Sequence, residues 1–183
     1  IERTVAICKT TFDRKINFTT EIGSETPYAF GDAIQLEQSL LNLLINARDA
    51  LSSSDRDNPT IHVKAARIEI NDRTESTSTD AYEGTFICVE VRDNGIGIEA
   101  ENLDNIFDPF YTTKAVDQGT GLGLSTVHGI VGLHNGWIEC QSEFGQGTTF
   151  FIYLPVAQEN LTANKPTSAQ ALSTGTEKIL VID

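Results

Sequence analysis

The residues between 93 and 124 have the types and the spacing needed to hold a phosphorylated ligand. The stretch opens with the turn DNGIG at 93–97 and closes with GTGLG at 119–123, directly before an apolar pattern typical of a helix. Glycines let the backbone approach a ligand closely, and the free N–H groups of a helix N-terminus add positive character. The stretch therefore predicts a site that cradles phosphates.

Two common phosphate-binding motifs do not match. No Lys-Ser/Thr pair follows the glycines, which excludes the P-loop. The dinucleotide-binding fingerprint needs Gly or Ala where the chain has Thr126. The aromatic segment 107–114 ends in Lys114, which is the only basic residue between Arg92 and Lys165. Lys114 is therefore the natural cation for a phosphate, although a solvated surface lysine is the alternative.

Length and composition are those of one ordinary domain with a tail. The chain has 183 residues, of which 39% are apolar, and its 13 basic and 26 acidic residues give a net charge of −13. An acidic balance of this size disfavours a nucleic-acid surface. The cysteines, Cys8, Cys88 and Cys140, are odd in number and form no CxxC pair. We therefore expect a reducing compartment and buried thiols rather than disulfides or zinc.

The most informative predicted element is a helix over 33–51 with Asp32 as its N-cap. Apolar residues cover most of its circumference, which is typical of a buried helix. One polar stripe interrupts them, formed by Gln35, Gln38, Asn42, Asn46 and Asp49. A buried amide without a partner costs roughly 1–3 kcal/mol, so the stripe predicts a wet or liganded groove. A plain solvent-facing stripe is the alternative.

Alternating and helical patterns place the other elements. Strands are predicted at 16–22, 28–30, 60–70, 86–92, 137–140 and 149–154. Helical segments are predicted at 1–15, 99–107 and 124–134, a flexible connection at 71–84 and a mobile lid at 108–120. The period of two in the strand over 86–92 puts Asp93 on the same face as Val89 and Val91. Asp93 should therefore reach the strand end pointing toward the helices.

Five motifs in this order resemble the ATP-binding catalytic domain of sensor histidine kinases, within the wider group of gyrase, Hsp90, histidine kinase and MutL-like ATPases. They are an N box at 38–47, a glycine box at 93–98, an F box at 107–114, a second glycine box at 119–124 and a closing glycine box at 145–148. The resemblance covers residues 15–155. It implies an α/β two-layer sandwich of the Bergerat type, with a mixed, mostly antiparallel sheet packed on helices.

The resemblance also implies ATP and Mg²⁺ as cofactors. Asp93 would accept a hydrogen bond from the adenine amino group, and Thr148 would support the base through water. Asn46 would be the metal ligand, with Asn42 beside it, and Lys114 would hold phosphates. The implied nucleotide-binding residues are Asn42, Asn46, Asp49, Asp93, Gly95, Gly97, Ile98, Phe110, Thr112, Thr113, Lys114, Gly119, Thr120, Gly121, Leu122, Gly123, Leu124 and Thr148. Beyond phosphate positioning by Lys114 and Asn42, no catalytic residue is expected in the chain.

Two departures from the family pattern bear on the reaction. Hydrolytic members use a glutamate one turn before the metal-binding asparagine, and this chain has Asn42 there, which is a poor base. This favours a kinase over an ATP-hydrolysing switch. A nucleotide-gated interaction module is the other alternative, and the five intact boxes disfavour it. The other departure is Asp49, where many kinases carry a lysine. It could contact metal-bound water or an arginine.

The phosphate-accepting histidine of such kinases lies on a helical hairpin, and His62, His128 and His134 do not fit that pattern. All three are expected to be structural, with the acceptor on a dimerisation domain upstream. Residues 1–14 would end that region, 15–155 form the catalytic domain and 156–176 a flexible linker. Residues 177–183 would begin a receiver domain. These expectations describe part of a longer, homodimeric hybrid kinase in the cytoplasm; an upstream membrane anchor is left open.

Overall fold

The segments with alternating and helical hydrophobic patterns fold into a sheet with helices packed on one face. The computed structural model describes residues 1–157 except 25, 30, 55, 73–75, 77 and 115–118. In this part of the chain the elements are α1 (Glu2–Thr11), β1 (Asn17–Ile22), α2 (Ala33–Ser52), β2 (Thr60–Ile70), β3 (Gly84–Asp93), a 3-10 helix (Ala100–Asn105), α3 (Gly123–Leu133), β4 (Trp137–Glu143) and β5 (Gly147–Pro155). No helix in the same part of the chain is both long and apolar enough to cross a membrane.

The described strands form one mixed sheet in the order β1-β2-β3-β5-β4. β1 runs parallel to β2, and the other neighbouring pairs are antiparallel. The predicted two-layer α/β architecture with a mostly antiparallel sheet is confirmed. The register pairs Asp93 at the end of β3 with Thr148 near the start of β5. Two residues from distant motifs thereby become neighbours at one edge of the core.

The main core lies between the sheet and the three helices. On β3 the predicted inward face is found, because Val89, Val91 and Asp93 are all buried. α2 contributes Leu43 and Leu44, both with no exposed surface. Its predicted N-cap is also confirmed: the Asp32 side chain accepts hydrogen bonds from the first free N–H groups of the helix. This cap satisfies donors that a helix cannot pair internally.

A second, smaller apolar cluster lies apart from this core and was not predicted. It consists of Ile70, Ala81, Phe86 and Trp137. Phe86 lies on β3 and Trp137 on β4, and Tyr153 of the intervening β5 stacks on Trp137 with ring centroids 4.6 Å apart. Ala81 belongs to the segment expected to be a flexible connection. The described end of that segment therefore contributes a buried residue, while 73–75 and 77 lie outside the described residues.

Other expectations differ from the structure in detail. The strand expected at 28–30 is, in its described residues, a single antiparallel bridge between Ala29 and Val156. α2 begins soon afterwards, at Ala33. The helix expected at 99–107 is the 3-10 helix. Of the linker expected at 156–176, Val156 and Ala157 are hydrogen-bonded to Thr85 and Tyr28, and the rest lies outside the described residues, as does 177–183.

His134 and His62 make contacts that suit structural roles, whereas His128 is exposed and its ring lies 5.6 Å from that of Phe107. His134 ties the end of α3 to the start of α2, because its Nε2 accepts the backbone N–H of Asp32 at 2.9 Å. Its Nδ1 lies 2.8 Å from the carbonyl of Ile130. His62 pairs with Thr19 across neighbouring strands, with 2.7 Å between Nδ1 and the hydroxyl. Each of these two rings is therefore engaged in holding elements together.

Truncation of Leu44 should show how far α2 supports the fold. Leu44→Ala removes a side chain with no exposed surface, so the free energy of unfolding should fall by roughly 2–5 kcal/mol. Urea denaturation followed by circular dichroism measures this change. Leu133→Ala is the matched control, because Leu133 is 77% exposed and its loss should matter little. Equal losses in the two variants would contradict the placement of the core.

Candidate nucleotide-binding site

A cleft with a volume of about 550 Å³ opens between α2, the turn after β3, the F box and the start of α3. This is the size of a typical small-molecule site. The predicted residues that line it are Asn42, Asn46, Asp49, Asp93, Gly97, Ile98, Thr112, Thr113, Lys114, Gly119, Thr120, Gly121, Gly123, Leu124 and Thr148. Gly95, Phe110 and Leu122 do not line it. Motifs far apart in the sequence thus meet around one cavity.

The α2 wall of the cleft is made by Asn42, Asn46 and Asp49, which are half-buried. They lie on successive turns of one helical face, so the predicted groove is present over this part of the stripe. Gln35 and Gln38 belong to the stripe but are not among the lining residues. The Asn42 amide donates to the carbonyl of Gly123 at 3.4 Å, which joins α2 to the first turn of α3.

Asp93 forms the deep end of the cleft and is only 5% exposed. Burial raises the pKa of Asp93 to about 6, although hydrogen bonds from the backbone of Gly95 and Thr148 oppose the shift. The Gly95 N–H donates to Oδ1 at 2.8 Å. At neutral pH the carboxyl group is therefore mostly ionised, and it is an acceptor held in a fixed orientation.

Ser142 is a supporting residue that the sequence analysis missed. Its hydroxyl accepts the Ile98 N–H at 2.8 Å and donates to the Gly147 carbonyl at 2.9 Å. It also lies 3.0 Å from the Thr148 hydroxyl. Because Ser142 has one hydrogen, given to Gly147, Thr148 donates to Ser142 and keeps its lone pairs free. Thr148 is therefore an acceptor toward the cleft.

The two glycine boxes need glycine for close backbone approach. Gly97 and Gly121 have φ angles of +71° and +67°, a region that side chains disfavour. A Cβ on Gly97 would overlap the backbone of Glu143, and one on Gly121 would overlap the backbone of Phe110. Phe110 also donates its N–H to the Gly121 carbonyl at 2.9 Å. The F box and the second glycine box are thus joined through backbone, while the Phe110 ring is 74% exposed.

The N-terminus of α3 borders the cleft, and the first N–H groups of a helix have no partner within the helix. α3 begins at Gly123, and its N-cap residue Leu122 makes no capping hydrogen bond through its side chain. Gly123 and Leu124 line the cavity. Free N–H groups and the helix dipole make such a terminus attractive to anions, as the sequence pattern predicts.

One strong ion pair crosses the cleft. Lys114 Nζ lies 2.6 Å from Asp49 Oδ2, and Arg48 Nη2 lies 2.6 Å from Asp49 Oδ1. Burial by itself raises the pKa of Asp49, but the hydrogen bonds and charges of Lys114 and Arg48 outweigh it, so this pKa lies below its ordinary value. Metal-bound water and an arginine were the two partners considered for Asp49. The structure shows the arginine, Arg48, and adds Lys114 as a second partner.

Several lining residues were not predicted. They are Ile45, Ala50, Ser53, Ile96, Asn102, Ile106, Tyr111 and Phe150. Tyr111 donates its hydroxyl to Asn102 Oδ1 at 2.5 Å, which joins the F box to the 3-10 helix. Ile45, Ile96 and Tyr111 stand inside the predicted boxes, which was the signal that could have found them, whereas Asn102, Ile106 and Phe150 stand in no motif.

The chemistry of the lining suits an elongated anion with a hydrogen-bond donor at its far end. Backbone N–H groups and Lys114 lie at the mouth, and the ionised Asp93 lies at the deep end. Among the described residues, no group of three or more His, Cys, Asp or Glu side chains could hold a metal. The side chain of Asn46 makes no hydrogen bond within the same part of the chain. Its amide oxygen therefore fits a hard cation such as Mg²⁺, which accepts oxygen ligands from protein, ligand and water together.

Comparisons with known proteins identify the family. Residues 31–158 match the model of the histidine kinase-, DNA gyrase B- and HSP90-like ATPases. Sensor kinase CckA of Brucella abortus (strain 2308) is 41% identical over 140 residues, which are 76% of this chain and 14% of that protein. Sensor histidine kinase ZraS of Escherichia coli (strain K12) is 37% identical over 153 residues, which are 84% of this chain and 28% of that protein.

A solved structure agrees with these matches. The catalytic domain of histidine kinase ThkA, in a nucleotide-free form, superposes with a TM-score of 0.63 at 26% identity and covers 85% of this chain and 89% of that one. The chain spans less than a third of either curated relative. It belongs to the histidine kinase-, DNA gyrase B- and HSP90-like ATPase family, as an ATP-binding catalytic domain of the sensor histidine kinase type.

Proposed function

We propose that this domain binds Mg²⁺–ATP and presents the γ-phosphate to a histidine on a dimerisation domain outside the chain. The observation that carries the proposal is the polarity of the cleft. Anion-binding groups lie at its mouth, a buried ionised acceptor lies at its deep end, and the α2 wall between them carries Asn42 where hydrolytic members of the family have a glutamate. Each end matches one part of the nucleotide.

The deep end supports recognition of adenine. The Asp93 carboxylate accepts from the adenine amino group, whereas guanine would place an oxygen there and two acceptors would face each other. Thr148 adds a second acceptor, held by Ser142 at 3.0 Å, that can bind the base through water. ATP should therefore be preferred over GTP.

The mouth supports recognition of the phosphates. The N–H groups of α3 and of the second glycine box bind phosphate oxygens, and Lys114 adds the positive charge. Asn46 supplies an oxygen ligand for Mg²⁺, which neutralises phosphate charge when bound. Asn42 keeps Asn46 beside the start of α3, since its amide reaches Gly123.

The residues around the phosphates favour transfer over hydrolysis. In the transfer, the bond from the γ-phosphorus to the β–γ bridging oxygen breaks, a bond to the acceptor nitrogen forms, and ADP leaves. Hydrolysis would need a base for water. Asn42 cannot serve, and Asp49 is already ion-paired with Arg48 at 2.6 Å. The domain is therefore built to position ATP rather than to activate water.

The remaining expectations belong to the same proposal. The acceptor histidine lies on a partner dimerisation domain, because His62 and His134 are engaged in structural contacts and His128 does not have the acidic residue after it that the acceptor pattern has. A receiver domain beginning at 177–183 would take the phosphate onward, and the parent protein would act as a homodimer. The domain would work in the cytoplasm, where ATP is available.

A transfer assay tests the function. The chain is mixed with the parent protein's own upstream domain and ATP labelled in the γ-phosphate, and label is expected on a histidine of that domain. Release of free phosphate by the chain alone, lost in Asn42→Ala, would instead support an ATP-hydrolysing switch. Tight ATP binding without label on any acceptor would support a nucleotide-gated interaction module.

Replacement of Asp93 should weaken base recognition. Asp93→Asn removes the charged acceptor, so ATP affinity should fall at least about tenfold and the preference for ATP over GTP should narrow. Titration calorimetry with both nucleotides measures this. Asp80→Asn makes the same chemical change on an exposed residue outside the cleft and should leave both affinities unchanged. ATP binding of wild-type strength by Asp93→Asn would refute the adenine assignment.

The buried Asp93 should also give stability a specific pH dependence. Its pKa rises from 3.8 to about 6 on folding, so the folded state binds the proton more tightly and its stabilising contribution grows as pH falls through 6. Relative to Asp93→Asn, the wild type should gain about 1 kcal/mol of unfolding free energy between pH 7 and pH 5. Urea denaturation at pH 7 and at pH 5 measures this change, and both pH values lie above the pI of about 4.5. A difference that does not vary with pH would contradict the burial of an ionisable Asp93.

Loss of Asn46 should remove the metal dependence of binding. Wild-type affinity for ATP should rise about tenfold when Mg²⁺ is added, and Asn46→Ala should show little of this gain because the oxygen ligand is gone. Without the metal the two proteins should bind alike. Gln38→Ala is the control, since Gln38 lies on the same helix but is exposed. An unaltered response to Mg²⁺ in Asn46→Ala would exclude Asn46 as the ligand.

A further inference from the structure

Lys114, the cation proposed to bind the phosphates, is ion-paired with the carboxylate of Asp49. Lys114 Nζ lies 2.6 Å from Asp49 Oδ2, and the two side chains are 35% and 25% exposed. Both residues line the cleft beside Asn46 and the second glycine box. The pair therefore stands where the proposed phosphate site lies, rather than on an outer surface.

Asp49 is the fixed member of the pair. It is part of α2, where Ala47 and Leu51 are buried in the core. Its other oxygen accepts from Arg48 Nε at 2.9 Å and from Nη2 at 2.6 Å. Arg48 is in turn held over the Phe12 ring, with its guanidinium carbon 5.2 Å from the ring centroid. Lys114 is joined to this arrangement by a flexible side chain from the F box. An exchange of partners would therefore move Lys114 and leave Asp49 in place.

We propose that Asp49 is the resting counter-ion of Lys114 and competes with nucleotide phosphates for that lysine. The inference rests on the proposed function, because the competitor is the phosphate end of the bound nucleotide. In the empty cleft the pair keeps Lys114 against α2. When a phosphate arrives, Lys114 exchanges one anionic oxygen for another, and Arg48 continues to neutralise Asp49.

The exchange gives Asp49 a role opposite to that of a metal ligand. A metal ligand strengthens binding of Mg²⁺–ATP, and its loss weakens it. A competing counter-ion weakens binding of the phosphates, and its loss strengthens it. The two roles therefore predict changes of opposite sign for a single substitution.

Calorimetry with ADP and with adenosine, without metal, separates the phosphate contribution. Asp49→Asn should bind ADP roughly three- to tenfold more tightly than the wild type, because Lys114 is released from its ion pair. Adenosine affinity should not change, since adenosine has no phosphate. Asp80→Asn is the matched control and should leave both affinities unchanged. A lower affinity of Asp49→Asn for Mg²⁺–ATP would identify Asp49 as a metal ligand and overturn the proposal.

A double-mutant cycle separates competition for Lys114 from simple repulsion between Asp49 and the phosphates. Lys114→Gln should lower ADP affinity, and adding Asp49→Asn to that variant should then have little effect. If Asp49→Asn strengthened ADP binding equally with and without Lys114, the effect would be direct repulsion, and the role as a counter-ion of Lys114 would be refuted.

Hydrogen exchange tests the ion pair without any nucleotide. The backbone N–H of Lys114 donates to the Thr112 hydroxyl at 3.1 Å, and the ion pair holds this turn against α2. In the nucleotide-free chain, Asp49→Asn should exchange the Lys114 amide several-fold faster than the wild type, while Asp80→Asn should not. Equal exchange rates would overturn the proposal. If the wild type bound no nucleotide at all, the proposed function would fail while this measurement still reported on the pair.

Discussion

The contact between the last turns of α2 and the turn after β3 is the constraint on which the cleft depends. The Ile96 N–H donates to the carbonyl of Ala50 at 3.2 Å. Gly95 lies so close to Ala50 that an added Cβ would be 2.7 Å from its carbonyl carbon. This contact sets the distance between the asparagines of α2 and the carboxylate of Asp93. Gly95 therefore shapes the site without lining it, which explains why a residue in a nucleotide-binding motif can be absent from the wall.

The parts of the site that could be predicted from the sequence are those determined by local spacing. Helical spacing put Asn42 and Asn46 on one face, and the period of two put Asp93 at the inner end of β3. The glycine boxes could be read because close backbone approach requires that residue type. In each of these cases the physical cause acts over a few neighbouring residues, so it leaves a pattern in the sequence.

The parts that could not be predicted depend on which distant segments become neighbours. Ser142 supports Thr148 only because β4 and β5 pair in one register, and nothing near Ser142 in the sequence indicates it. The partner of Asp49 was left open because Lys114 is 65 positions away. The cluster around Phe86 and Trp137 could not be predicted for the same reason, since its members come from separate strands and from the end of a connection expected to be flexible.

α2 and α3, the two helices that border the cleft, are joined by side-chain contacts at two places. Near the cavity, the amide of Asn42 reaches Gly123 at 3.4 Å, whereas at the opposite end the ring of His134 accepts from Asp32 at 2.9 Å. Nδ1 of the same ring lies 2.8 Å from the carbonyl of Ile130, so both ring nitrogens are in use where α3 ends. The position of α3 against α2, and with it the position of the glycine-rich end of α3, therefore depends in part on a residue that does not line the cleft.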